Sequence, residues 1–211
     1  MGAPGKDCPL CPRLVEFRRA NRAQFPDWHN APVPSFGGDD ARLLIVGLAP
    51  GLRGANRTGR PFTGDWAGDL LYATLIKFGL AQGNYDERAD DGLALIDCRV
   101  TNGVRCVPPE NKPTGGEVVA CRPFLKSEIA ALPRLKIVLA LGSIAHGAIL
   151  TALGMRISAV KFRHGAMHLL PSGLVLADSY HCSRYNTNTG RLTTAMFESV
   201  FAAIKTRLDA P

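Results

Sequence analysis

No apolar run in this chain is long enough to cross a bilayer, which excludes a membrane-spanning helix. The N-terminal segment MGAPGKDCPLCPRL lacks the apolar stretch of a secretory leader, so a cytoplasmic location is expected. Disulfides are rare in that compartment, and the six cysteines therefore need another role. Acidic residues are the minority charge: 18 Asp and Glu stand against 25 Lys and Arg, giving a net charge of +7 and a pI near 9.3. That balance favours an anionic partner, nucleic acid first. Internal repeats and low-complexity tracts are absent, as is the GKS or GKT ending of a nucleotide-binding P-loop. What remains is a 211-residue chain, 46% hydrophobic and 20% charged, enough for one soluble domain with a sizeable core over residues 1–211.

Strand-like and helix-like stretches alternate. Arg42–Val46, Leu93–Thr101, Lys136–Leu141 and Leu174–Ser179 read as strands, and Trp66–Phe78, Glu117–Leu132, Gly142–Leu153 and Arg191–Leu208 as helices. This order predicts an α/β fold, a four-stranded parallel sheet between helices. A short basic helix is expected over Arg13–Phe25, with Arg18, Arg19 and Arg22 on its surface. Pro26–Asp40 reads as a Pro/Gly-rich connection, and Lys161–Pro171 as a loop or short hairpin. The longest ordered-looking loop, GLAPGLRGANRTGRPFTGD from Gly47 to Asp65, follows the first strand. Open α/β sheets bind ligands at the C-terminal ends of their strands, and long loops there are usually functional. Four glycines and two prolines precede Thr63, and the arginines make the loop basic. Asp65 stands where a helix N-cap would, so a cap alone would account for it.

Cys8 and Cys11 form C-x2-C, and Cys106 and Cys121 are separated by fourteen residues. Four thiolates can hold a zinc ion or an iron–sulfur cluster, and the wide second pair suits a cluster better than a zinc ribbon. Buried, unligated cysteines are the simpler alternative. Cys98, within a strand, and Cys182 are taken as non-ligands.

These features together resemble the family 5 uracil-DNA glycosylases. The resemblance is carried by GLAPGLRGANRTGRPFTGD, RCVPPENKPT, the C-x2-C and C-x14-C pairs, and SYHCSRYNTNTGRLT, and it runs from about Cys8 to Leu208. It implies a [4Fe–4S] cluster, structural in role, on Cys8, Cys11, Cys106 and Cys121. It also implies an enzyme that hydrolyses the N-glycosidic bond of uracil, and of other deaminated bases such as hypoxanthine, in DNA. GLAPG holds no carboxylate or amide to activate water, and the resemblance moves that role to Asp65. His181 takes the position of the histidine that stabilises the departing base, and Asn111 that of a catalytic asparagine. Phe62 would lie under the flipped base, and backbone groups around Gly47, Ala49 and Gly51 would meet its edge. Asn102 departs from the pattern, resembling instead the uracil-reading asparagine of family 4 enzymes. A uracil-only family 4-like enzyme and a non-catalytic iron–sulfur protein that binds nucleic acid are the rival readings. DNA contacts are expected from Arg53, Arg57, Arg60, Lys112, Arg184 and Arg191, with Tyr185 as a wedge in the duplex. The chain is expected to act as a monomer.

Overall fold

A computed structural model describes residues 2–210. Helix α1 (Pro12–Gln24) leads into β1 (Phe36–Gly37) and β2 (Leu43–Gly47). The basic loop then carries a single helical turn, α2 (Ala55–Thr58), before α3 (Trp66–Lys77). A small hairpin, β3 (Ala81–Gln82) with β4 (Ala94–Leu95), precedes β5 (Cys98–Asn102) and α4 (Gly115–Ala131). The chain continues through β6 (Ile137–Leu141), α5 (Ser143–Ala152), β7 (Met167–Leu169), β8 (Val175–Ser179), α6 (Arg184–Asn188) and α7 (Thr194–Asp209). No helix among the described residues is long and apolar enough to cross a membrane.

The main sheet has the order β1-β5-β2-β6-β8-β7. Its four central strands are parallel, as the alternation of elements predicts, and antiparallel β1 and β7 add an edge on each side. β1 comes from a stretch that reads as a connection, because a two-residue strand is too short to show a period, and β7 from the stretch that reads as a loop or short hairpin, where it pairs antiparallel with β8. The run Leu93–Thr101 is two strands rather than one. The chain turns at Asp97, which has a positive φ of 56°, so β4 pairs with β3 while β5 joins the main sheet.

Strand residues are buried on both faces, which is why they read as unbroken apolar runs. Leu43, Ile45 and Leu139 face α3 and α7, where Leu71, Leu75, Phe197 and Phe201 complete one core layer. Leu44, Val46, Val138 and Leu176 face the opposite layer with Leu125, Ile149 and Leu150 of α4 and α5. Full burial of each such side chain stabilises the fold by roughly 1.5–3 kcal/mol. Helix starts are marked chemically: Thr114 and Glu117 form a reciprocal capping box, and Thr193 Oγ1 accepts from Met196 N at 3.2 Å.

Register places the functional loops on one rim. Gly47, the last residue of β2, pairs with Asn102, the last of β5. Pairing continues beyond the strands, with Gly103 N donating to Gly47 O at 2.9 Å and Val104 N to Leu48 O at 2.9 Å. The loop after β8 leaves the same edge, and an added Cβ at Gly142, beyond the end of β6, would lie 3.6 Å from His181 Cβ.

Candidate active site

Asp65 sits at the N-cap of α3, where Oδ1 accepts from Gly68 N at 3.2 Å. Gly51 and Gly54 lie against its other oxygen, and a Cβ on Gly54 would collide with the carboxylate. Burial pushes the Asp65 pKa up, opposed by the backbone N–H groups of Gly68 and Ala67. The cap leaves one oxygen over: Oδ1 holds the helix, and Oδ2 faces the glycine loop.

Phe62 is buried and has a φ of 53°, a left-handed conformation that costs an aromatic residue on the order of 1–3 kcal/mol. Its ring stacks on that of His181, with centroids 5.9 Å apart and planes at 28°. Gly47 makes room for it, since a Cβ there would lie 2.5 Å from both the Phe62 ring and Asn102 Oδ1. Asn102 is 3% exposed, and its Oδ1 has no hydrogen-bond partner. A buried unpaired acceptor is costly and points to a ligand that supplies the donor. Asn111 sits on a turn at the mouth, with Glu110 and Asn111 both at positive φ (54° and 56°).

A cavity of about 650 Å³ joins these residues. Ala49, Gly51, Arg53, Phe62, Asp65, Asn102, Asn111, His181 and Arg184 all line it. His181 is half-buried, and burial lowers its pKa to about 4. The imidazole is therefore neutral at physiological pH and keeps one N–H to donate.

A carboxylate, a neutral imidazole and an unpaired amide thus face one cavity at the carboxyl ends of parallel strands. The sequence profile of the uracil DNA glycosylase superfamily matches residues 34–205, which contain every one of these groups. The chain belongs to the uracil-DNA glycosylase superfamily. It is 48% identical to a Type-5 uracil-DNA glycosylase of Thermus thermophilus, over 94% of this chain and 92% of that one. A Type-5 uracil-DNA glycosylase of Mycobacterium leprae is 43% identical, over 94% of this chain and 90% of the relative. A Type-4 uracil-DNA glycosylase of Pyrobaculum aerophilum is 36% identical over 72% of this chain and 63% of its own.

The cations of this superfamily member divide into rim and interior. Arg53 is exposed and lines the cavity, and exposed Arg57 donates from Nε to Arg53 O at 2.9 Å. Arg184 lies over Trp66, 5.6 Å from its ring centroid, and Arg191 lies over Tyr180 at 4.8 Å. Lys112 is exposed beside Glu110, and Tyr185 on α6 is 71% exposed. Arg60 does not join them. It is 4% exposed and bound to Asp91, so it cannot reach a phosphate, and its expected role in DNA contact is corrected. Arg18 likewise is buried rather than on the surface of α1.

Sequence reasoning missed Trp66. It reads as the first residue of an apolar helix, yet it is half-exposed at the cavity wall, with Nε1 donating to Thr187 Oγ1 at 2.8 Å. Its place directly after Asp65 was the available signal.

Away from this site, Cys8, Cys11, Cys106 and Cys121 line one small pocket walled by Leu14, Val104 and Phe124. Arg18 Nη1 donates to Cys106 Sγ at 3.7 Å, and Arg105 N donates to Cys121 Sγ at 3.3 Å. Burial pushes the Cys106 thiol up to about 12, and the charges of Cys121 and Cys8 add to the rise. Among the described residues, no group of three or more His, Cys, Asp or Glu side chains is arranged to hold a metal ion. Cys98 and Cys182 are buried elsewhere, each donating to a backbone carbonyl.

Proposed function

We propose that the protein is a monofunctional DNA glycosylase that removes uracil from DNA and leaves an abasic site. The single observation that carries this reading is the unpaired Asn102 Oδ1 in a cavity shared with Asp65 and His181. Its missing donor is an imide N–H of the kind uracil presents. Hypoxanthine also presents an N–H beside a carbonyl, whereas the corresponding nitrogen of cytosine is an acceptor. The cavity has room for a purine, so hypoxanthine is included in the proposed range.

Hydrolysis requires the nucleotide to leave the stack, because the bond is out of reach inside a duplex. The flipped base rests on Phe62, with Asn102 at its imide edge and the backbone of Gly47 to Gly51 along its side. As the C1′–N bond breaks, its electron pair leaves with the base. Neutral His181 donates a hydrogen bond to the base oxygen where that negative charge collects. Asp65 orients water toward C1′, stabilises positive charge on the sugar and accepts the water proton. Asn111, across the mouth, holds the water or the base. Among the described residues no lysine lines the cavity, which supports a reaction without a Schiff base or strand cleavage.

Cys8, Cys11, Cys106 and Cys121 would hold a [4Fe–4S] cluster. An all-thiol set around an apolar-walled pocket, with N–H donors aimed at two sulfurs, suits such a group. A cluster also spaces its ligands more widely than one ion does. When bound it would cross-link the N-terminal segment to α4 and the loop after β5, with no part in base removal. Arg53, Arg57, Arg184, Arg191 and Lys112 would meet phosphates, and Tyr185 would enter the duplex. A reducing cytoplasm would keep the four ligand thiols available for the cluster, and one chain carries every group the reaction uses.

The test is a glycosylase assay on oligonucleotides holding uracil, hypoxanthine, xanthine or thymine opposite each base, with alkali to reveal abasic sites. Release of uracil is expected. Release of uracil alone would favour the narrower family 4-like range, and no release with intact DNA binding would leave only a binding protein.

A further inference from the structure

Arg60 is the one basic residue of the glycine-rich loop that turns inward, and its surroundings assign it a task. Its guanidinium donates to both carboxylate oxygens of Asp91, Nη1 to Oδ1 at 2.8 Å and Nη2 to Oδ2 at 2.6 Å. Its Nε donates to Thr63 Oγ1 at 2.7 Å, and its carbon lies 5.0, 5.4 and 5.8 Å from the ring centroids of Phe36, Tyr72 and Tyr85. Both partners of the pair are buried, with side chains 4% and 1% exposed. Asp91 in turn accepts from Asp86 N and Leu93 N, each at 3.0 Å, and so fixes the polar loop between β3 and β4.

The same cluster grips the strained residue under the base. Tyr72 donates to Pro61 O at 2.5 Å, and Tyr85 donates to Phe62 O at 3.3 Å while accepting from Gly64 N at 3.2 Å. The Phe62 carbonyl also presses on Gly68, where a Cβ would have no room, and Gly68 N is the donor to Asp65. Arg60, Phe62, Gly68 and Asp65 are therefore one mechanically continuous unit, with the ion pair at its buried end.

We propose that Arg60 and Asp91 are positioning residues for base removal: they hold Phe62 in its left-handed conformation and, through Gly68, set the place of the Asp65 carboxylate. The inference rests on the roles given above to Phe62 and Asp65. A guanidinium fork is needed because one cation must bind Asp91 with two nitrogens and Thr63 with the third. A shift of about 1 Å in such a unit can cost about 100-fold in rate.

Arg60→Lys, which keeps the charge and loses the fork, and Asp91→Asn are compared with wild type. Asp97→Asn, which breaks a pair with Arg42 at the opposite end of the strands, reports what lost stability does by itself. Single-turnover uracil release at saturating enzyme is measured below each variant's melting temperature, beside affinity for an abasic-site duplex. Arg60→Lys and Asp91→Asn should slow release about 10- to 100-fold with duplex affinity unchanged. Asp97→Asn should keep the wild-type rate. In a Phe62→Ala background, Asp91→Asn should cost less than it does in wild type, because the part that acts through the ring is already lost and only the part that reaches Asp65 through the backbone remains. A wild-type rate in either pair variant, or losses that simply multiply in the double variant, would overturn the proposal. If Asp91→Asn does not fold, Arg60→Lys and its double with Phe62→Ala decide the matter in the same way. Failure of the function reading looks different: wild-type protein would then release no uracil, or Asp65→Asn and Phe62→Ala would not slow release.

Discussion

Replacing Asp65 by Asn should remove nearly all activity while leaving the protein at least as stable as wild type. Asn keeps an oxygen to accept from Gly68 N, so the α3 cap survives, but it cannot take a proton from water. Loss of a general base typically costs two to four orders of magnitude in rate. Stability moves the other way because burial raises the Asp65 pKa. A raised value means the folded state holds the proton more tightly than the unfolded chain does. Folding stability therefore falls as pH rises from the ordinary Asp value of about 3.9 up through the raised one. Above the raised value wild type bears that cost in full and Asp65→Asn does not. Asp65→Ala escapes the same cost but loses the cap, worth about 1 kcal/mol, and should melt roughly 2–4 °C below Asp65→Asn. Wild-type activity should also lose its base at a higher pH than an ordinary carboxylate would dictate. Single-turnover rates across pH, beside thermal melts of the three proteins, test all of this. Full activity in Asp65→Asn, with a melting temperature below wild type, would mean that Asp65 is a cap and nothing more, and the water would pass to Asn111.

His181→Ala should slow uracil release by about two to three orders of magnitude. The penalty should shrink for 5-halogenated uracils, which need less help to leave, and the Asp65 penalty should not. Because the His181 pKa is lowered to about 4, no histidine limb should appear in the rate profile near neutral pH. Anaerobically purified protein should be brown, with about four irons per chain. Serine at Cys8 or Cys106 should abolish the colour and weaken folding, and serine at Cys98 or Cys182 should leave iron content unchanged. A colourless protein with stoichiometric zinc would replace the cluster by an ion. Arg57→Ala should lower the log–log salt slope of abasic-duplex binding by about one, and an unchanged slope would make Arg57 structural.

The central sheet was legible in the sequence because strands buried on both faces leave unbroken apolar runs, such as Leu43–Val46 and Ile137–Leu141. The edges were less so: β1 is too short for a period and falls in a Pro/Gly-rich stretch, and β7 was legible only as one arm of a loop or short hairpin. At the site, the loops could be assigned to one rim from their positions after strands, and the cavity draws on residues from three of them. The fate of individual arginines could not be read in advance. Arg57 and Arg60 stand three apart in the same basic loop, and only Asp91, distant in sequence, distinguishes the buried one from the exposed one. The unpaired Asn102 oxygen was equally hidden, since composition cannot reveal which polar atom folding leaves without a partner.

Three glycines, one ending β2, one in the long loop and one in the first turn of α3, show how the site is built on backbone without side chains. Each of three sites would reject a side chain for a different reason: Gly47 for the Phe62 ring and the Asn102 amide, Gly54 for the Asp65 carboxylate, and Gly68 for the Phe62 carbonyl. Only one of the three concerns the backbone of Phe62, and none has a positive φ, so their purpose is proximity and not turn geometry. Proximity is also what the chemistry demands. In the proposed reaction a carboxylate approaches the sugar from one side while the base lies against an aromatic ring on the other. Backbone without Cβ atoms lets both groups come close without opening the core beneath them. The strain this leaves at Phe62 falls on a residue held by Tyr72, Tyr85 and the Arg60–Asp91 pair, all anchored outside the cavity. A loop that gives up side chains to admit the substrate has few of its own to hold its shape, and that buried cluster supplies what the glycines cannot.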